Sequence, residues 1–281
     1  MSKIVYLNSK FIKFRDAKIH IEDRGLQFSD SVYEVISFYN QQFVDFEFHI
    51  KRLKYSLKEL KINYIVNQDK LKKIFNKIIN LNKLKNGIIY MQITRGIQPR
   101  DHAYKNNLIP NIIIYVINKK FNLPNKNFKG VKAISYKDLR WKRRDIKTVS
   151  LLANVLAKNE AVRKNAYEAI LIDKGKITEA TASNVWIVKN NILFTHPTNT
   201  DILKGVTRES IKRIIKTNKL QFNEKSFTIK QLYNADEVFI TSSTNLVTPI
   251  IKIDSKIINK GKIGNISLQL ASLYANYFIN E

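Results

Sequence analysis

Apolar residues recur at helical spacing in two stretches of the first half of the chain. One stretch runs from His49 to Lys61 and the other from Asp69 to Leu84. Apolar positions three and four residues apart share one face of a helix, and such a face ordinarily packs into a core. The pattern therefore predicts two amphipathic helices. Their apolar positions are Ile50, Leu53, Leu57 and Leu60 in the first, and Leu71, Ile74, Phe75, Ile78 and Ile79 in the second.

Short apolar runs predict strands around these helices. Ile88–Thr94 and Asn111–Ile117 lie in the first half of the chain, and Glu168–Asp173 lies in the second. Runs of this length that are rich in β-branched residues are typical of strands. The pair Asn190-Asn191 separates two further runs, 184–189 and 192–195, and predicts a β-hairpin, because Asn tolerates the positive φ of a two-residue turn.

Three more helices are predicted in the second half. The segment Thr148–Lys164 has apolar residues on one face, a helix begins near Lys204, and a last helix closes the chain. The alternation of helices and strands predicts a mixed α/β fold (α/β to α+β). The apolar positions are Val149, Leu152, Val155 and Leu156 in the first, Ile211, Ile214 and Ile215 in the second, and Leu270, Leu273, Tyr274 and Tyr277 in the last.

The chain shows one candidate domain boundary. Polar residues, Asn and a Pro are concentrated in Phe121–Asn127, which is the composition of a linker. We predict a small N-terminal domain over 1–120, a linker over 121–128, and a larger domain over 129–281. A chain of 281 residues with 44% hydrophobic content can bury two cores of modest size.

Composition excludes several kinds of site. The chain has no cysteine, so disulfides and thiolate metal sites are excluded, and its four histidines show no metal-ligand spacing. We expect no metal. No stretch reaches the roughly 18 to 20 apolar residues of a membrane span, and the first residues lack the pattern of a signal peptide. These features predict a cytoplasmic protein with no membrane partner.

The charge balance is strongly basic, with 49 Lys and Arg against 23 Asp and Glu and a net charge of +26. Such a charge ordinarily indicates nucleic acid or an anionic membrane. Here the lysines are scattered through nearly every segment, and the chain contains no recognised nucleic-acid-binding motif. We therefore expect no nucleic-acid partner. The densest basic patch runs from Arg140 to Lys147, where it could attract an anionic cofactor.

Lys147 and Glu179 are the residues with the clearest candidate chemistry. A lone lysine in this chain is ordinarily a solvated side chain. Lys147, however, precedes a predicted helix, and the run Glu168–Asp173 turns at Gly175 towards Glu179, which could bring the carboxylate back to the amine. A lysine amine with a lowered pKa forms imines and acts as a base.

Two further groups of residues could bind anions. Arg100 and His102, one residue apart in a loop, could hold a carboxylate by charge-assisted hydrogen bonds. Thr207 lies where a predicted helix begins, and the free N–H groups of a helix start bind anions. Arg52 lies on the first amphipathic helix, and the hydroxyl cluster 241–244 follows the strand candidate 237–240. Taken singly, each has a plain structural explanation as a surface loop, a turn or a helix cap.

Taken together, these residues resemble those of the fold-type IV pyridoxal-phosphate enzymes, and most closely the D-amino-acid aminotransferases (class IV aminotransferases). The resemblance runs nearly end to end. It is carried by the segments 21–28, 30–35 and 49–53, by Arg100 and His102, and by the segments 145–147, 203–208 and 241–249.

The resemblance implies a fold and a set of roles. The fold is a small N-terminal α/β domain and a larger β-barrel-like α/β domain, with pyridoxal 5'-phosphate between them. Lys147 would form the Schiff base with the cofactor and move the proton, and Glu179 would pair with the pyridine nitrogen. The phosphate would be held by Arg52, Val206, Thr207, Ser242 and Ser243.

The resemblance also implies the substrates and an assembly. Tyr33, Arg100 and His102 would bind the α-carboxylate of the substrate, with Arg100 and His102 reaching in from the neighbouring subunit, so a homodimer with shared active sites is implied. The expected reaction transfers the amino group of a D-amino acid such as D-alanine to 2-oxoglutarate, giving a 2-oxo acid and D-glutamate.

Other functions stay open at this point. Branched-chain aminotransferases and aminodeoxychorismate lyases share the fold, and the pair Arg100 and His102 favours the D-specific enzymes over them. A binding protein that has lost activity is a further alternative, which the presence of both Lys147 and Glu179 disfavours. The sequence departs from the family at Ser31, at 181–183 and at Ser243. These changes leave the required functional groups in place.

Overall fold

The chain forms two compact units in the computed structural model, which describes residues 3–280. Unit 1 runs to Lys120 and also includes Ile146–Ser150, and unit 2 comprises Phe121–Asp145 and Leu151–Asn280. The sequence alone placed residues 146–150 in the second domain. The structure groups them with unit 1 because this segment pairs with a strand of that unit.

Unit 1 contains, within the described residues, a six-stranded antiparallel sheet in the order β2-β1-β6-β5-β3-β4. Two long helices accompany it, as the apolar spacing predicted. The strands are β1 (Ile4–Leu7), β2 (Lys10–Lys13), β3 (Ser31–Tyr39), β4 (Gln42–Phe43), β5 (Gly87–Thr94) and β6 (Ile112–Asn118). The helices are α1 (Arg24–Phe28), α2 (Phe46–Glu59) and α3 (Gln68–Leu81), with a 3-10 turn at Phe14–Asp16.

The core of unit 1 lies between this sheet and the two long helices. All five apolar residues predicted for α3 are buried, and so are three of the four predicted for α2, with Leu60 half-buried. The side chain of Asn67 caps α3 by accepting from the Lys70 amide at 2.9 Å, which satisfies a donor that the first turn leaves free. The period of the sequence thus predicted both helices and the face that each buries.

Unit 2 is built on a nine-stranded mixed sheet, counted over the described residues, in the order β12-β11-β10-β13-β14-β7-β8-β9 with β15 paired to β14. Its strands are β7 (Val131–Lys137), β8 (Glu168–Asp173), β9 (Lys176–Ala180), β10 (Asn184–Lys189), β11 (Ile192–Thr195), β12 (Phe222–Glu224), β13 (Glu237–Ser242), β14 (Leu246–Ile253) and β15 (Lys256–Ile257). Its helices are α4 (Leu152–Arg163), α5 (Val206–Thr217), α6 (Ile229–Tyr233) and α7 (Asn265–Asn280), with a 3-10 turn at Asn259–Gly261.

Two hairpins of unit 2 follow the turn residues of the sequence. Asn190 and Asn191 both have positive φ, 51° and 62°, and join β10 to β11. Lys174 and Gly175 also have positive φ and join β8 to β9. Turns with two positive φ values match the twist of antiparallel strands. Both predicted hairpins are confirmed, and the second one places Glu179 on β9.

The helix predicted from Thr148 is shorter than expected. It begins four residues later, at Leu152, because residues 147–149 are irregular and their backbone bonds to β3. Its apolar side chains Leu152, Val155 and Leu156 are 74%, 49% and 52% exposed. The side of α4 that packs on the sheet carries alanines instead, which allow the helix to approach closely. These are Ala157 and Ala161, against Ile134, Ala169 and Leu171.

None of the helices described for residues 3–280 has the length and apolarity that crossing a bilayer requires.

Candidate active site

Lys147 lies in the irregular segment that borders β3 of unit 1. The Tyr33 amide donates to the Lys147 carbonyl at 3.0 Å, and the Lys147 amide donates to the Ser56 hydroxyl at 3.2 Å. Val32 and Thr148 form a bridge beside them. The Lys147 Nζ lies 4.1 Å from the centre of the Tyr33 ring. Unit 1 therefore fixes the lysine backbone on both sides and brings its amine against one of the predicted substrate-binding residues.

A buried carboxylate, Glu34, orients Arg52. Glu34 accepts from Arg52 Nε at 2.8 Å and from Arg52 Nη2 at 2.7 Å, and His49 Nδ1 lies 2.7 Å from the same carboxylate. Burial by itself would raise the pKa of Glu34, but the bonds and charges of Arg52 and His49 outweigh it, and the pKa falls from 4.5 to about 2. Burial lowers the pKa of His49. Arg52 is thus held by an ionised partner on β3.

Arg100 and His102 lie in the irregular loop after β5. The Arg100 guanidinium carbon lies 4.7 Å from the centre of the Phe28 ring, and the His102 ring centre lies 5.4 Å from it. Among the residues that the structure describes, Arg100 has no ion-pair partner. Both side chains approach the Phe28 ring, and their common direction stays a prediction.

Glu179 is buried in unit 2 and accepts bonds from several directions. Arg140 Nη1 donates to it, the Leu203 amide donates at 3.1 Å, and the Asn184 side-chain amide donates at 3.2 Å. Burial raises the pKa of Glu179, although the charge of Arg140 and the Leu203 amide act in the opposite direction. These bonds therefore orient the carboxylate but do not fully offset the cost of burying its charge. A further positive partner would stabilise its charged form.

Much of the predicted basic patch is neutralised inside unit 2. Arg140 pairs with Asp138 at 2.8 Å as well as with Glu179, and Arg144 lies 3.4 Å from Asp138 and 3.1 Å from Asp173. The side chains of Arg140 and Arg144 are 8% and 1% exposed. The expectation that this patch attracts anions from solvent does not hold for these two arginines, because their charges face carboxylates.

Asn184 connects Glu179 to the residues that lead into α5. Asn184 also donates to the Leu203 carbonyl at 3.0 Å, and a Cβ built on Gly205 would lie 1.9 Å from the Asn184 Oδ1. Gly205 is the N-cap of α5 and supplies no side-chain cap, so the amides of the first turn lack that partner. Thr207 is buried, and the Tyr274 hydroxyl lies 3.4 Å from its Oγ1.

The hydroxyl cluster 241–244 lies at the same end of the sheet of unit 2. Thr241 pairs with Asn184 across β10 and β13, and Ser242 ends β13 one residue further on. The Ser242 hydroxyl accepts from the Asn245 amide at 3.2 Å. Unit 2 thus brings together Glu179, the first turn of α5 and the end of β13. A carboxylate, helix-start amides and hydroxyls are groups that can bind a protonated nitrogen and an anion.

Comparison with known proteins identifies the family. The model of amino-transferase class IV matches residues 31–253, which is most of the chain. This chain belongs to the class IV aminotransferases. The family match confirms the predicted resemblance and the prediction of an aminotransferase whose cofactor is pyridoxal phosphate.

Relatives of this class IV aminotransferase match it over nearly its whole length. It is 39% identical over 278 residues to a D-alanine aminotransferase of Bacillus licheniformis, covering 99% of this chain and 98% of the relative. It is 37% identical over 275 residues to a D-alanine aminotransferase of Staphylococcus aureus (strain MSSA476), covering 97% of each.

A branched-chain amino acid aminotransferase from Escherichia coli is similar in structure, with a TM-score of 0.91 at 24% identity over 99% of this chain and 95% of that chain. At this identity the likeness shows the fold alone, and it confirms the predicted mixed α/β class.

Sequence reasoning missed the residues that support the predicted site. Glu34 and Asp138 were not assigned roles, and Arg140 was assigned only to the basic patch. Glu34 pairs with Arg52, Arg140 pairs with Glu179, and Asp138 pairs with Arg140. One signal was available. The chain has 11 arginines among its 49 basic residues, and the planar guanidinium of arginine is suited to buried, two-bond ion pairs with carboxylates.

Proposed function

We propose that this class IV aminotransferase transfers the amino group of D-amino acids, with D-alanine as donor and 2-oxoglutarate as acceptor. The proposal rests on Lys147, a partly buried residue whose backbone is fixed by hydrogen bonds and whose amine lies beside the Tyr33 ring. The curated relatives named above are D-alanine aminotransferases that match the chain almost end to end. The loop with Arg100 and His102 supports the choice of D-amino acids.

The residues of each unit fit the groups of pyridoxal phosphate. When bound, this cofactor withdraws electrons from the α-carbon of an amino acid and makes its hydrogen acidic. Lys147 Nζ would hold the cofactor through its aldehyde group. The same amine, which is tethered by its backbone, would move the proton of the substrate α-carbon as a base and then as an acid.

Glu179 would pair with the heterocyclic nitrogen of the cofactor and favour its protonated form. Its carboxylate is buried, and burial raises its pKa even beside Arg140, so a protonated nitrogen is the added positive partner that favours its charged form. The Leu203 amide and Asn184 hold the carboxylate in place. The fixed charge needs no rearrangement during the reaction.

The phosphate is held by positive and hydrogen-bonding groups. Val206 and Thr207 offer the amides at the start of α5, where the helix dipole favours an anion. Arg52, oriented by Glu34, supplies a permanent charge. Ser242 and Ser243 supply hydroxyls at the end of β13 and in the turn after it.

Tyr33, Arg100 and His102 bind the α-carboxylate, and the last two act from the neighbouring subunit of a homodimer. The exposed apolar side chains of α4 support an assembly, because Leu152, Val155 and Leu156 would be covered in a second copy of the chain. Sedimentation at several concentrations tests this. A monomer at assay concentration would contradict the shared site. Cytoplasmic location stays a prediction.

A half-reaction assay tests the function. Purified protein is mixed with D-alanine, and separately with L-leucine, and the absorbance of the cofactor is followed before and after adding 2-oxoglutarate. We expect D-alanine to convert the cofactor to its amine form and 2-oxoglutarate to reverse the change. Conversion by L-leucine but not by D-alanine would show instead a branched-chain enzyme.

The role of Lys147 is tested with a matched lysine. Lys147→Ala is expected to abolish turnover and borohydride labelling of the cofactor adduct, whereas Lys142→Ala, an exposed lysine five residues earlier, is expected to retain both. Labelling of another residue, or near-normal rates in Lys147→Ala, would rule out the assigned role.

A further inference from the structure

Arg24 is a buried cation that contacts the backbone of the loop carrying Arg100 and His102. Its side chain is 4% exposed. Its Nη1 donates to the Asp101 carbonyl at 2.6 Å, and its Nη2 donates to the His102 carbonyl at 3.1 Å. One planar guanidinium thus donates hydrogen bonds to two consecutive carbonyls of an irregular loop. Rotation of either peptide would break a charge-assisted bond.

Asp30 fixes Arg24 and ties it to a second arginine. The Asp30 carboxylate accepts from Arg24 Nε at 3.0 Å and from Arg95 Nε and Nη2 at 2.7 and 2.9 Å. Arg95 also donates to the carbonyls of Leu60 and Lys61 at 2.5 and 2.8 Å. The cluster therefore connects α1, the end of β5 and the residues after α2, so Arg24 is held by ordered elements of unit 1.

The Phe28 ring packs against the two predicted carboxylate-binding side chains. The guanidinium carbon of Arg100 lies 4.7 Å from the ring centre, that of Arg24 lies 4.6 Å away, and the His102 ring centre lies 5.4 Å away. An aromatic face attracts a guanidinium and packs against an imidazole ring. Arg24 thus fixes the loop backbone, and Phe28 limits the directions that its side chains can take.

We propose that Arg24 and Phe28 are positioning residues for the binding of the substrate carboxylate. Arg24 sets the peptide orientation at Asp101 and His102, and Phe28 keeps the Arg100 guanidinium and the His102 ring on one side of the loop. The inference rests on the proposed function, in which Arg100 and His102 bind that carboxylate. Lysine cannot replace Arg24, because one ammonium on a flexible stem does not reproduce three directed bonds to two carbonyls and a carboxylate.

The first test is Arg24→Lys in the cofactor-loaded enzyme, with Arg15→Lys, an exposed arginine of the same unit, as the matched control. We expect the KM for D-alanine to rise about tenfold with kcat changed by about twofold or less, because binding of the carboxylate is lost more than the chemistry. Borohydride labelling at Lys147 is expected to stay complete. Amide hydrogen exchange over residues 100–105 is expected to quicken about tenfold as the loop opens.

Phe28→Leu tests whether the Phe28 ring positions the side chains of Arg100 and His102. It keeps the positioning proposal testable if Arg24→Lys fails to fold. It keeps an apolar group but removes the ring face, and we expect the KM for D-alanine to rise about tenfold without faster exchange in the loop backbone. In Phe28→Leu/Arg100→Ala, the rise in KM is expected to be smaller than the product of the two single rises, since Phe28 acts in part through Arg100 and in part through His102. Phe14→Leu, a partly exposed residue of unit 1, is the control.

The outcomes separate this inference from the proposed function. If Arg100→Ala leaves the KM for D-alanine unchanged, the pair does not bind the carboxylate, and both proposals fail. If Arg100→Ala raises the KM while Arg24→Lys and Phe28→Leu do not, the positioning role alone is wrong. Equal falls in kcat and in cofactor labelling would show a general loss of structure and would overturn it. Fully additive effects of Phe28→Leu and Arg100→Ala would show that Phe28 acts independently of Arg100 and would also overturn it.

Discussion

Replacing Glu34 by glutamine removes the charge that faces Arg52. The wild-type carboxylate is buried and accepts two bonds from Arg52, at 2.8 and 2.7 Å, and one contact from His49 at 2.7 Å. Glutamine keeps one acceptor oxygen and nearly the same shape. The substitution therefore leaves the packing of unit 1 almost unchanged and tests the electrostatic contribution of this carboxylate.

The size of the effect follows from the pKa of Glu34. Its fall from 4.5 to about 2, at ~1.4 kcal/mol for each tenfold change in proton affinity, corresponds to about 3 kcal/mol of folding free energy at neutral pH. Because the folded pKa is depressed, this contribution is fully present above pH 4.5 and is lost as the pH falls towards 2. At pH 3.5 about 2 kcal/mol of it remains. The loss on breaking a buried ion pair is of similar size, about 3 to 5 kcal/mol.

Urea denaturation followed by circular dichroism measures the free energy of unfolding of both proteins. At pH 7 the free energy of unfolding of Glu34→Gln should be about 3 kcal/mol below that of the wild type, and the difference should shrink to about 2 kcal/mol at pH 3.5. Glu47→Gln, on the helix α2 that carries Arg52 but exposed and 3.4 Å from Lys72, should change stability by less than about 1 kcal/mol. A difference between Glu34→Gln and wild type that is below 1 kcal/mol, or that grows as the pH falls, would refute the reasoning.

Two further substitutions test local geometry in unit 2. Gly205→Ala places a Cβ 1.9 Å from the Asn184 Oδ1, which should displace the side-chain amide that supports Glu179. We expect pyridoxal phosphate binding, measured by absorbance titration, to weaken about tenfold. An unchanged Kd would disprove the role of this close approach. Asn191→Val introduces a β-branched residue at a φ of 62° and should lower the free energy of unfolding by about 1 to 2 kcal/mol in thermal or urea unfolding, whereas Asn191→Gly should be tolerated.

The sequence by itself determined the elements whose cause is local. The apolar period of residues 69–84 predicted α3 and its buried face, because the residues that make a helix face lie within a few turns of one another. Asn190 and Asn191 predicted a hairpin because a turn depends on the φ preference of its own two residues. The resemblance added the functional residues that such patterns do not contain.

Tertiary structure decided everything that depends on a distant partner. The segment from Thr148 resembled the start of a helix, yet the backbone of residues 147–149 bonds to β3, more than 100 residues earlier in the chain. Arg140 and Arg144 resembled a solvated basic patch, yet both face carboxylates inside unit 2. Arg24 showed no chemistry in the sequence, because the carbonyls that it holds lie 77 and 78 residues away. A charge gains its role from what the fold places within about 4 Å of it, and no pattern along the chain records that distance.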